Sequence, residues 1–149
     1  MLPASGHFSP EQKETWEFYV AVYRAGLAAI HDGTRRIEVF EAMVREANRR
    51  RNELQSDLAR KMAAVVTDPE SGAGFWVLHS LGLRSGGEVE PEILRAGMIV
   101  TIEPTTRVPG QVQFNIEDVT LVSKDGYEIL TPLPYDAAAI EQSMRQVRR

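Results

Sequence analysis

The sequence has no cysteine and only three histidines in 149 residues. The first absence excludes disulfides, thiolate metal sites and cysteine nucleophiles. No stretch approaches the roughly 18–20 apolar residues that a membrane-spanning helix needs. The segment Met1-Leu2-Pro3-Ala4-Ser5-Gly6-His7 has neither the basic region nor the apolar core of a signal peptide. A cytoplasmic protein with no membrane partner is the expectation. An excess of basic charge is missing too: 17 Lys and Arg against 21 Asp and Glu leave a net charge of −4. That balance argues against a nucleic-acid partner. The basic clusters Arg49-Arg50-Arg51 and Arg145 with Arg148-Arg149 read as solvated helix faces. There is no Gly-x-Ser-x-Gly elbow, phosphate-binding glycine loop, His-Glu-x-x-His helix or dinucleotide fingerprint.

What is present is one domain's worth of ordinary globular sequence, spanning 1–149, with 43% hydrophobic and 26% charged residues. Ser9-Pro10-Glu11-Gln12 is a helix start: Ser9 caps, Pro10 fits the first helical position and Gln12 completes a capping box. Trp16, Tyr19, Val20, Tyr23, Leu27 and Ile30 follow at helical spacing as a buried stripe, and His31-Asp32-Gly33 closes it. Thr34 caps a second helix with Ile37, Phe40, Met43, Val44 and Ala47 on its apolar face. Its polar continuation through residues 48–62 reads as helix running past the body of the domain. After Asp68-Pro69 the texture turns to loop and then to strands near 75–80, 98–103, 112–122 and 127–131. A Pro91-started helical turn lies between the first two strands. Pro109-Gly110 and Lys124-Asp125-Gly126 mark turns. Asp136 caps a short C-terminal helix whose Ile140, Met144 and Val147 face inward. The order predicts an α+β fold: two N-terminal helices packed on an antiparallel sheet, with a short closing helix.

Three side chains carry the chemistry. Gly97-Met98-Ile99-Val100-Thr101-Ile102-Glu103-Pro104 is a strand that ends on a carboxylate; alone, Glu103 reads as a strand terminus reaching solvent. Glu117 is harder to explain that way, because apolar strand sequence flanks it on both sides and an unpaired buried acid is costly. Alternation puts Phe114, Ile116 and Asp118 on one face and Asn115, Glu117, Val119 and Leu121 on the other. Only one acid of the Glu117-Asp118 pair therefore belongs to a given site. His79 lies in a third apolar run, where a lone histidine is more often a core or surface residue than a ligand. Together the three suit a hard or borderline divalent ion, Mn²⁺, Co²⁺ or Zn²⁺, held by His79, Glu103 and Glu117 with a position left for water. Two such ions would need about two further carboxylates. His7 and His31 read as surface residues.

The chain resembles the C-terminal part of the pita-bread metallopeptidases, the family of aminopeptidase P, prolidase, methionine aminopeptidase and the non-peptidase creatinase. The resemblance rests on five segments: Ser5–Gln12, His79-Ser80-Leu81-Gly82-Leu83, Gly97–Pro104, Asn115-Ile116-Glu117-Asp118-Val119 and Asp125–Thr131. It covers about residues 5–132 and fits the aminopeptidase P and prolidase branch best. It implies a partial pita-bread fold. It also implies that His79, Glu103 and Glu117 match three of five dinuclear-metal ligands, and that Glu103 matches the catalytic acid that handles the proton of the bridging water. The departures are as informative. The two aspartate ligands of the family precede the region matched here, and Phe75 stands where an additional histidine is usual. Gly86 falls near the place of a substrate-side histidine, Asn115 replaces an arginine, and Thr105 replaces a glycine.

Three functions follow as expectations. The first is a truncated Xaa-Pro-type peptidase, inactive as the isolated chain, whose missing N-terminal half supplies the aspartates. The second is a catalytically degenerate domain that binds a peptide or protein partner. The third is a small interaction domain. An unpaired sheet edge and a partly uncovered apolar face, inviting the missing half or a homodimer, are expected of such a fragment.

Overall fold

A computed structural model describes residues 3, 5–68, 78–81 and 90–147. Helix α1, Pro10–Ala28, opens with the expected capping box: the Gln12 amide donates to Ser9 Oγ at 3.2 Å and the Ser9 amide to Gln12 Oε1 at 3.0 Å. The stripe from Trp16 to Ile30 is buried, and Phe18 and Val22 on the opposite side are buried as well. A helix buried over most of its circumference belongs in the interior of a domain: α1 packs on α2, α3 and α4 and meets the strands through Tyr19 and Tyr23. Its Gly26 admits the Met43 side chain of α2, Arg36–Arg50, to a place a Cβ would occupy; an added Cβ would lie 2.8 Å from Met43 Cγ.

Two readings of the second helix change. Arg35, not Thr34, is the N-terminal cap of α2, with its amide donating to Glu38 Oε2 at 2.8 Å. Thr34 is buried and turns its hydroxyl back to the Ala29 carbonyl. The polar continuation is not one long helix. A 3₁₀ turn at Arg51–Glu53 ends it, and a third helix, α3, covers Asp57–Thr67, so three N-terminal helices precede the sheet rather than two. The reversal is set by Glu14 of α1, whose carboxylate takes the Gln55 and Ser56 amides at 2.7 and 2.8 Å. Ser56 then caps α3. Leu58 and Met62, spaced as one helical face, fold back into the core. Of the basic run, Arg49 and Arg50 both bond Glu46.

The sheet has four antiparallel strands in the order β1-β2-β5-β6: Leu78–Ser80, Ile99–Ile102, Asp118–Val122 and Tyr127–Ile129. Strands β3, Thr105–Val108, and β4, Val112–Asn115, form a hairpin that closes through Pro109 and Gly110, the latter at φ 71°. The long strand expected over 112–122 is thus two strands, and β3 was not anticipated. No helical turn follows Pro91. Ile93 instead bridges Arg35, and Leu94 donates to the Thr34 carbonyl. Asp136 caps α4, Ala137–Val147, whose Ile140 is buried and Met144 half-buried. The architecture is α+β, as expected. The expected strand residues 75–77, including Phe75, and also Gly82, Leu83 and Gly86 lie outside the described residues.

Candidate metal centre

The break between the two sheets is coordinated across both chains of the hairpin. Ile102 pairs with Asp118 on one side of it and Thr105 with Asn115 on the other. The register therefore passes through the gap unchanged, with Glu103 opposite Glu117 and Pro104 opposite Ile116. Burial alternates through the gap as well: Phe114, Ile116 and Asp118 are buried, while Asn115 and Val119 are half-buried and Glu117 is exposed. One long two-stranded ladder opens where its two glutamates face each other. Strand β1 adds the histidine: His79 pairs with Thr101, and Thr101 with Val119, so His79 lies on the same sheet face as Glu103 and Glu117.

The structure brings His79 and Glu103 together, with Nε2 and Oε2 4.0 Å apart. His79 Nδ1 is 2.8 Å from the Ser80 carbonyl, which can only accept, so Nδ1 carries the proton and Nε2 presents its lone pair. That lone pair takes the Thr101 hydroxyl at 2.8 Å. Glu103 Oε1 accepts from Asn115 Nδ2 at 2.9 Å, and the same amide reaches Thr105 Oγ1 at 3.1 Å. Asn115 so fixes one carboxylate oxygen and leaves the other toward His79. Neither Thr101 nor Asn115 was assigned this task from sequence; the alternation that put Asn115 on the Glu117 face was the available signal.

The donor set fits one borderline divalent ion in kind, an imidazole nitrogen of fixed tautomer with carboxylates, and does not fit two. Among the described residues no three His, Asp or Glu side chains are gathered closely enough to hold an ion as they stand. His7 and His31 are exposed surface residues.

The opposite face of the same strands holds a second polar group. Asp118 is buried, and its Oδ2 accepts hydrogen bonds from the Tyr23 and Tyr135 hydroxyls. Burial first, and then the hydrogen bond to Asp118, raise both tyrosines well above the ordinary phenol range. Tyr19, one helical turn before Tyr23, is raised mainly by burial. Its hydroxyl donates to the Pro104 carbonyl and accepts from the Ile116 amide at 3.1 Å. A cavity of about 250 Å³ adjoins this region, lined by Trp16, Ile116, Glu117, Leu133, Tyr135 and Ile140 among others. The face that carries His79 is partly bare of cover, with Leu81 46%, Ile99 42% and Leu130 42% exposed.

The relatives agree with this architecture. An aminopeptidase P of Pseudomonas aeruginosa superposes with a TM-score of 0.68 at 28% identity, over 99% of this chain and 37% of that one. Zinc-substituted aminopeptidase P of Escherichia coli, solved with product, gives 0.72 at 25% identity over the same shares. An uncharacterized peptidase of Staphylococcus aureus is 39% identical over 71 residues, 42% of this chain and 20% of the relative. The chain therefore spans well under half the length of the proteins it matches. The family model of metallopeptidase family M24 matches residues 1–124, and with the helices, the hairpin and the paired glutamates in place, the chain belongs to that family.

Proposed function

We propose that this chain is the C-terminal portion of a metal-dependent Xaa-Pro-type aminopeptidase or dipeptidase, unable to hydrolyse peptides as the isolated chain. The observation that carries the reading is the opposition of Glu103 and Glu117 across a continuous register, with His79 Nε2 turned to the same face. His79, Glu103 and Glu117 would hold the ion, Mn²⁺, Co²⁺ or Zn²⁺, with His79 Nε2 giving up the Thr101 hydroxyl to do so; when bound, the ion makes a coordinated water a nucleophile at neutral pH. Glu103 is suited to handle that water's proton, with Asn115 holding its carboxylate in place through Oε1. Ser80 keeps the histidine in the ligating tautomer through Nδ1. One imidazole and two carboxylates carry too little charge for the two ions that the family resemblance implies. The missing N-terminal half, or a second copy in a homodimer, would supply the remaining ligands and cover the exposed Leu81, Ile99 and Leu130.

A second reading has one observation in its favour. The apolar cavity beside Glu117 is large enough for a small side chain, which suits a degenerate domain that binds peptide or protein without cleaving it. Incubation of the purified chain with an Xaa-Pro peptide and Mn²⁺ separates the proposals from an active enzyme. No turnover is expected. Turnover that Glu103→Ala abolishes would overturn the inactivity proposed here.

A further inference from the structure

The main-chain hydrogen bonds of an antiparallel pair fall on every second residue pair. Val122 donates to the Met98 carbonyl at 2.9 Å, which makes Met98 and Val122 a bonded pair. Counting along the ladder by twos reaches Pro104 and Ile116. There the Ile116 N–H should donate straight to the Pro104 carbonyl, and proline has no N–H to return the bond. The direct rung is not made. Ile116 N–H donates to the Tyr19 hydroxyl instead, and that hydroxyl donates on to the Pro104 carbonyl. Glu103 and Glu117 form the neighbouring unbonded pair, where opposite side chains approach most closely and like charges repel.

We propose that Tyr19 is a positioning residue for the two glutamates: its hydroxyl, spliced into the Pro104–Ile116 rung, holds the strands apart at the Glu103–Glu117 pair. Two features support the assignment. The hydroxyl is buried and is used once as acceptor and once as donor, both times in this rung. One turn further along α1, Tyr23 bonds Asp118, so the residues on both sides of Glu117 are tied to the same rigid helix. Without the Tyr19 hydroxyl, the Ile116 amide can close directly on Pro104. The gap narrows, and the carboxylates lose the spacing that an ion between them requires.

The effect on metal rests on the reading of Glu103 and Glu117 as ligands; the effect on the gap does not. The test is Tyr19→Phe in the full chain, with Ser9→Ala as a control that weakens α1 at its capping box, away from the rung. Without metal, the Ile116 amide and the Glu103 and Glu117 carboxyl resonances should shift in Tyr19→Phe and stay put in Ser9→Ala. Mn²⁺ affinity, from the free-ion paramagnetic signal, should fall about tenfold in Tyr19→Phe only, the low end of what loss of a ligand-orienting partner costs. In a Glu117→Gln background the same substitution should change Mn²⁺ affinity little. Unmoved resonances, or an Mn²⁺ affinity equal to the parent's, would overturn the proposal. If the parent chain takes up no Mn²⁺, the metal reading fails, and the resonances alone decide the role of Tyr19: shifted they support it, unmoved they overturn it.

Discussion

Raising the pH should unfold this domain through its buried tyrosines. Tyr19 and Tyr23 are held protonated in the folded chain by burial, and Tyr23 also by its bond to Asp118. In the unfolded chain both titrate near pH 10. The folded state therefore retains protons that the unfolded state gives up, and stability is fully present below about pH 10 and falls as pH rises above it. Each tyrosine contributes a slope of about 1.4 kcal/mol per pH unit, so the pair gives roughly 3 kcal/mol per unit. Tyr135 is raised too, but water screens it and its share is smaller. A domain near the low end of ordinary stability, about 5 kcal/mol, would then unfold within about two units of the onset. Urea unfolding followed by circular dichroism across this range measures the slope, and phenolate absorbance reports the titration. Tyr19→Phe and Tyr23→Phe should each flatten the slope by about 1.4 kcal/mol per unit, whatever they do to stability at neutral pH. Phenolate formation by Tyr19 or Tyr23 ahead of unfolding, or a slope that neither variant changes, would show that these two phenols do not govern the alkaline transition.

Two further outcomes follow from packing and polar satisfaction. Gly26→Ala places a Cβ 2.3 Å from Met43 Cε and 2.8 Å from Cγ. Moving the Met43 tip does not relieve the second contact, so α1 and α2 must part, at a cost of about 1–3 kcal/mol in urea unfolding. Asp118→Ala leaves the buried Tyr23 hydroxyl and the half-buried Tyr135 hydroxyl without their acceptor and should cost about 2–4 kcal/mol; Asp118→Asn, which keeps an acceptor oxygen, should cost less.

The parts of the molecule governed by local rules were legible in the sequence. The capping box at Ser9 and Gln12, the buried face of α1 and the Pro109-Gly110 turn each involve residues within a few positions of one another. Alternation correctly separated Glu117 from Asp118, because the register is continuous across the gap. What was missed depends on distant partners. The helix break after Arg50 is fixed by Glu14, about forty residues away in the chain. The opening of the ladder depends on a hydroxyl from α1, and nothing near Glu103 or Glu117 signals it. A tyrosine in a buried stripe does ask for a hydrogen-bond partner. Spacing showed that Tyr19 and Tyr23 share a face, but not that the face meets the residues flanking Glu117. The Pro91 segment failed for a related reason: its backbone groups are taken by the loop between α1 and α2.

The proposed centre is an incomplete, single-ion site built from His79, Glu103 and Glu117. Calorimetric titration with Mn²⁺ and with Zn²⁺, on the parent chain and on Glu117→Ala, tests it most directly. No more than one ion per chain is expected, with that binding lost in Glu117→Ala. Two ions per chain, or binding that Glu117→Ala leaves unchanged, would contradict it.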